Sequence, residues 1–282
     1  MPDVIVALIV AAILALGLWP ALGAVLGRPR GRWRTAARVV AVGAVALFLS
    51  ASMAFFVSRA VGFQLLGDHV ARVETSERVV ALTFDDGPTP AHTKEVVRVL
   101  RGQDVRATFF VTGGESEASP AELRRLVVAG HEIGNHSYSH RNLTDLSELE
   151  IERELVMTRQ IVRRACGRFI TLFRPPGGHY NASVRAATRA TGFSPLFWNE
   201  NIGNYPGRGP DEIVPSMIRK VGSSGIVLLH NGYDETPAML PAFLKELSSR
   251  GYRMGTVSEL CSHSPFVMAE APAPGPPGWQ LH

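Results

Sequence analysis

Two adjacent carboxylates, Asp85 and Asp86, follow directly on the apolar run 79–84 and precede Gly87-Pro88. Asp, Gly and Pro are common turn formers, so a surface turn is one account of the segment. A turn explains poorly why both acids sit at the end of a buried, strand-like run. Further on, His136 and His140 stand four apart in His-Ser-Tyr-Ser-His. On a helical turn such positions share one face and could offer two imidazoles to one metal ion. With Asp86 they make a set of two histidines and a carboxylate with open positions, suited to Zn²⁺, or to Co²⁺ or Ni²⁺, acting as a Lewis acid. Arg174 ends another apolar run and leads into Pro175-Pro176-Gly177-Gly178. The prolines stiffen the backbone, so Arg174 could pair with a carboxylate and the Gly177 N–H could meet an oxyanion. Finally, the apolar run 226–229, with Leu228 inside it, ends in His230. A histidine at the lip of a buried strand suits acid or base work near neutral pH. Each feature alone has a structural account of similar weight. Four strand ends that all present such groups argue instead for a functional site.

Those groups need a frame. Short β-rich runs at 79–84, 107–111, 170–173, 194–198, 226–229 and 253–257, with a brief one at 131–134, alternate with amphipathic runs. The amphipathic runs are 91–100, 121–129, 147–165, 184–191, 211–220 and 238–250. Such βα alternation predicts an α/β fold with a parallel sheet, open or closed into a barrel, and a site at the C-terminal ends of the strands.

The chain has 282 residues and a formal net charge of +4. Residues 4–27 and 39–58 carry no charge, and each stretch is long enough to cross a hydrocarbon core of ~30 Å. Between them Arg28, Arg30, Arg32, Arg34 and Arg38 occur without an acid, which predicts a cytoplasmic loop. Two transmembrane helices in 1–63 would then anchor the protein in the bilayer and leave 64–263 outside the cell membrane. A single signal anchor or a cleaved signal peptide on 39–58 would export the same domain. The tail 264–282 is rich in Pro, Ala and Gly and is expected to be disordered. The positive charge is concentrated in the membrane loop, which argues against a nucleic-acid partner. Two cysteines, Cys166 and Cys261, exclude a disulfide framework and leave one pairing open.

In these residues the sequence resembles the polysaccharide deacetylases, carbohydrate esterase family 4, also called the NodB homology domain. The pattern TFDDG is Thr83–Gly87, HSxxH is His136–His140, and LxH is Leu228–His230. RPPYG reads Arg174–Gly178 with Gly177 in place of tyrosine. The family's W-x-x-D-x-x-D-W reads from Trp198 to Tyr205 with Asn201 and Asn204 in place of both aspartates. The resemblance implies a distorted (β/α) barrel of about seven strands. It implies Asp85 as general base, held by Arg174, with Asp86, His136 and His140 as metal ligands and His230 as the acid. Gly177, Trp198, Asn204, Tyr205 and Leu228 would line the oxyanion and substrate site. The implied reaction removes N-acetyl groups from an aminosugar polymer, peptidoglycan-type or chitin-like, outside the cell. Asn204 cannot place a negative charge beside His230, so a weak or inactive membrane-tethered glycan-binding homologue is the rival reading. A metal amidohydrolase acting on small amides is a third.

Overall fold

The computed structural model describes residues 77–201, 208–222 and 224–262, together with Gly43. The two uncharged N-terminal stretches, apart from Gly43, the Pro-rich tail, Asn204 and Tyr205 lie outside the described residues. Among the described residues no helix is long and apolar enough to cross a membrane.

The strands are β1 (Val79–Asp85), β2 (Thr108–Val111), β3 (Glu132–Asn135), β4 (Leu172–Phe173), β5 (Ser194–Pro195), β6 (Glu200–Asn201), β7 (Ser224–His230) and β8 (Arg253–Gly255). All their pairings are parallel, in the order β5-β4-β3-β2-β1-β7-β6, with β8 beside the first half of β1. Among the described residues no pairing joins β5 to β6, and the curled parallel sheet is a half-barrel that fits the expected distorted barrel. β1 lies at its centre and is buried along its whole length, as a β-branched and apolar run covered on both faces should be.

Side chains alternate across a strand, and the two faces bury different clusters. Val80, Leu82 and Phe84 join the larger cluster, which packs against the helices. Val79 and Ala81 join a smaller one with Phe110, Leu172, Leu196, Trp198, Ile226 and Leu228. Continuing the same parity past these residues puts Thr83 and Asp85 of β1, Arg174 after β4 and His230 of β7 on the inner face. The chemistry-bearing residues are thus the last members of inward-facing rows.

The helices are α1 (Thr93–Gly102), α2 (Gly113–Ala118), α3 (Pro120–Val128), α4 (Glu148–Cys166), α5 (Ala182–Ala190), α6 (Pro210–Lys220), α7 (Glu235–Ser249) and α8 (Val257–Ser262). The longest, α4, begins with a capping box: the Ser147 hydroxyl accepts from the Glu150 N–H, and the Glu150 carboxylate accepts from the Ser147 N–H. Glu148 and Glu150 in its first turn, and Arg163 and Arg164 in its last, complement the helix dipole. It stops at Gly167, whose φ of 68° is a left-handed cap.

The sequence pattern did not predict α2, α8 or β6. Gly113-Gly114 reads as a turn, yet the Thr112 hydroxyl caps the helix by accepting from the Glu115 N–H. At 253–257 the expected strand ends at Gly255, because Thr256 and Glu259 exchange backbone-to-side-chain bonds and start α8. β6 has only two residues and no period to read. Cys166 packs against the outer cluster and Cys261 against the inner one; both are free thiols.

Candidate active site

The C-terminal ends of β1, β3, β4 and β7 bring the polar groups together. Register places Asp85 beside Phe110 on one side and His230 on the other. Arg174 donates from Nη1 to Asp85 Oδ1 at 2.8 Å and to Thr83 Oγ1 at 2.7 Å. Its Nη2 donates to the Phe197 carbonyl at 3.2 Å and its Nε to the Leu196 carbonyl at 3.4 Å. The guanidinium is fully buried and its central carbon stands 4.2 Å from the centre of the Phe110 ring. Burial pushes the Arg174 pKa down, and the Asp85 carboxylate opposes that shift. Two buried charges are tolerable here because every face of the fork has an acceptor or an aromatic ring.

Asp86 turns out of the strand with φ of 76°. The next residue must be glycine: a Cβ on Gly87 would lie 2.2 Å from Asn231 Nδ2. Asn231 is buried, donates its backbone N–H to the Asp85 carbonyl at 2.8 Å, and donates from Nδ2 to Thr93 Oγ1 at 2.9 Å. The loops after β1 and β7 are thereby locked together, which fixes where Asp86 points.

His136 Nε2 lies 3.5 Å from Asp86 Oδ1 and 3.7 Å from Asp85 Oδ2; His140 Nε2 lies 3.1 Å from Asp86 Oδ1. One ligand atom each from Asp86, His136 and His140 falls within 4.8 Å of the others. His136 Nδ1 is 2.8 Å from the Arg174 carbonyl. A carbonyl only accepts, so the proton is on Nδ1 and the Nε2 lone pair faces the carboxylates. Burial alone would raise the Asp86 carboxyl. When protonated, His136 and His140 hydrogen-bond to Asp86, and with the charges of His136 and His230 they outweigh burial and hold it well below the usual carboxylate range. The hydrogen bond to Asp86 raises the His140 imidazole, with burial opposing. A carboxylate and two imidazole nitrogens converging on one point, with His136 oriented by the Arg174 carbonyl, form a donor set that fits a divalent cation.

The two histidines do not reach this point from a helical turn, as their spacing had suggested. The segment is a loop in which Ser137 and His140 take φ of 64° and 57°. Glu154 of α4 accepts the N–H groups of Tyr138 and Ser139, both at 2.8 Å, and the Ser139 hydroxyl. Asn135 accepts the Ser137 N–H, and the Ser137 hydroxyl accepts the His140 N–H. Side-chain acceptors, local at Asn135 and Ser137 and distant at Glu154, replace the helical ladder, which is why local spacing misread the geometry.

Of the other expected residues, Leu228 and Trp198 are buried in the inner cluster, Trp198 with its ring centre 5.5 Å from the Arg174 guanidinium carbon. Leu228 pairs in register with Thr83, whose hydroxyl accepts from the arginine. Gly177 is in a short 3₁₀ turn after Arg174 with φ of 62°. His230 is half-buried; its ring meets Tyr233 edge-to-face at 5.7 Å, and its Nδ1 has no partner among the described residues. Thr83, Asn135, Glu154 and Asn231 support the site and were not singled out from sequence. Only Thr83 carried a signal, as the residue two before Asp85 on the same face.

A family model described as polysaccharide deacetylase matches residues 72–196. The peptidoglycan-N-acetylglucosamine deacetylase of Bacillus cereus is 34% identical over 193 residues, covering 67% of this chain and 90% of that protein. The chitooligosaccharide deacetylase of Sinorhizobium fredii is 32% identical over 197 residues, covering 65% of this chain and 92% of its own. Among solved structures, a CE4 family pseudoenzyme from Bacillus anthracis superposes with a TM-score of 0.66 at 26% identity, covering 72% of each chain.

Proposed function

Because the chain belongs to the polysaccharide deacetylase family, we propose that it hydrolyses N-acetyl groups of an extracellular aminosugar polymer, peptidoglycan-type before chitin-like, releasing acetate and a free amine. The observation that carries this reading is the convergence of Asp86, His136 and His140 beside the buried Asp85–Arg174 pair. A divalent ion held by Asp86, His136 and His140, zinc first among candidates, would supply Lewis acidity toward the acetyl carbonyl and a water of lowered pKa. Asp85 takes the proton of the attacking water. Arg174 fixes that carboxylate through Nη1 and neutralises its buried charge. The Gly177 N–H supports the developing oxyanion. His230 gives a proton to the departing nitrogen as the C–N bond breaks. Leu228 and Trp198 form the apolar floor beneath these groups.

The uncharged stretches at the N-terminus support anchoring in a bilayer, with the catalytic domain beside the wall outside the cell. A second reading has two observations in its favour: Asn201 and Asn204 replace the aspartates of the family pattern, and a structural neighbour is a pseudoenzyme. Acetate release decides between them. Purified protein should free acetate from peptidoglycan or from chitooligosaccharides, lose that activity to a chelator and regain it with Zn²⁺ or Co²⁺. Metal-loaded protein that binds these glycans yet frees no acetate establishes the non-catalytic reading.

A further inference from the structure

Gly177 stands where the RPPYG pattern has tyrosine, and its surroundings show what crowds the position. A Cβ built on Gly177 lies 3.0 Å from Cδ2 and 3.1 Å from Nε2 of His179. The imidazole two residues on therefore crowds that Cβ and would have to give by a few tenths of an ångström to admit it. The backbone agrees, since φ of 62° at Gly177 is left-handed and disfavours a bulky residue. His179 is half-buried, and among the described residues its ring makes no hydrogen bond or ion pair.

Its position is bracketed by the active-site arginine. The chain runs from Arg174 through the 3₁₀ turn Pro176–Gly178, where the His179 N–H donates to the Pro176 carbonyl at 3.3 Å. On the other side Tyr180 meets Phe197 edge-to-face at 5.5 Å, and the Phe197 carbonyl accepts from Arg174 Nη2. His179 thus sits on the loop that leaves the C-terminal end of β4, held at both flanks by residues tied to the guanidinium that binds Asp85.

We propose that His179 is a specificity-determining residue of the glycan site, presenting an imidazole beside the position at which the pattern has tyrosine. One ring nitrogen donates and the other accepts. The ring suits a pyranose hydroxyl beside the reacting acetamido group, with its face against the apolar face of the sugar. This rests on the deacetylase reading, and the glycine at 177 is its necessary companion.

The test uses the full-length protein and N-acetylglucosamine oligomers. His179→Ala should raise KM by ~3–10-fold, the worth of one hydrogen bond, and leave kcat within about twofold. His179→Gln should recover part of that loss. Gly177→Tyr should impair binding, and adding His179→Ala to it should relieve the impairment, so that the two changes couple rather than add. An unchanged KM in His179→Ala, or strict additivity, overturns the proposal while leaving the deacetylase reading intact. In a parallel titration followed by NMR, the His179 ring signals of the wild type should shift as oligomer is added. Shifts without acetate release uphold the glycan contact and refute the catalytic reading; unmoved signals with an unchanged KM refute the contact.

Discussion

His131 leads into β3 and His136 follows it, so one strand of four residues separates two buried imidazoles. At the first, Nδ1 accepts the Ala107 N–H at 3.2 Å, which leaves the ring proton on Nε2, an atom with no partner among the described residues. At the second, Nδ1 donates to the Arg174 carbonyl at 2.8 Å, and the bare Nε2 faces Asp85 and Asp86. The two rings are opposite tautomers because a neighbouring strand offers an amide to one and a carbonyl to the other. At the C-terminal end of the sheet carboxylates answer the imidazole. At the N-terminal end none does, and burial alone pushes His131 down to about 4. A buried histidine is therefore not a site by virtue of burial; the partner on its second nitrogen decides.

The sharpest way to break the contrast is at the charged end. Asp85→Asn keeps the shape of the side chain and the contact with Arg174 but removes the base. Acetate release should fall by ~10²–10⁴-fold, with the bound metal, measured by elemental analysis, unchanged. Asp86→Asn should lose the metal instead. The reverse pattern would exchange the two roles.

Next in size is the pair beneath it. Arg174→Met leaves the Asp85 carboxylate buried without its cation, and denaturant unfolding should show a loss of ~3–5 kcal/mol. Combining it with Asp85→Asn should restore part of that stability, since no unpaired charge then remains. Additive losses would mean that Arg174 acts mainly through its bonds to Leu196 and Phe197.

Glu154 sharpens the comparison from a distance. It touches neither the proposed reacting groups nor the ring of a proposed metal ligand, yet it accepts two N–H groups of the loop that carries His140. Glu154→Ala should weaken metal binding by ~10–100-fold in a competition titration. Unchanged affinity would show that Asn135 and β3 alone fix the two histidines.

What could be read beforehand follows the same division. β1, β7 and the acids and histidine at their ends were legible because an apolar run that stops at a polar residue is a local signal. The pairing of Asp85 with Arg174 was legible only as a resemblance, since its partners come from strands distant in sequence. The approach of Asn231 to Gly87 and the clasp of Glu154 on the histidine loop left no local trace. The helical placement of His136 and His140 failed for that reason: spacing gives the face of a helix only where a helix forms. β6 and α2 were too short, or too rich in glycine, for a period to show. Asn204 and Tyr205 lie outside the described residues, so the expectation placed on them stands as it was.

The smallest expected effect belongs to His131, and it tests the uncharged end directly. The cavity beside it, about 320 Å³, is also lined by Arg106, Glu132, Arg168 and Glu259. Both acids there are engaged: Glu132 with Thr108 and Ser258, and Glu259 with Arg106 and Thr256. Neither is free to stabilise an imidazolium. The folded protein therefore binds this proton less readily than the unfolded chain, whose histidine titrates near ~6.5. Acid must then favour unfolding. Stability from this group is full above about pH 7, falls as pH drops through ~6.5, and levels off near the folded value of about 4. Between pH 7 and pH 5 the loss should be about 1–2 kcal/mol. His131→Asn keeps an acceptor near the Ala107 N–H and cannot take up a proton. Urea unfolding at both pH values should show a smaller difference for that variant than for the wild type. An equal difference would mean that the ring is protonated in the fold and that the two ends of β3 treat their histidines alike.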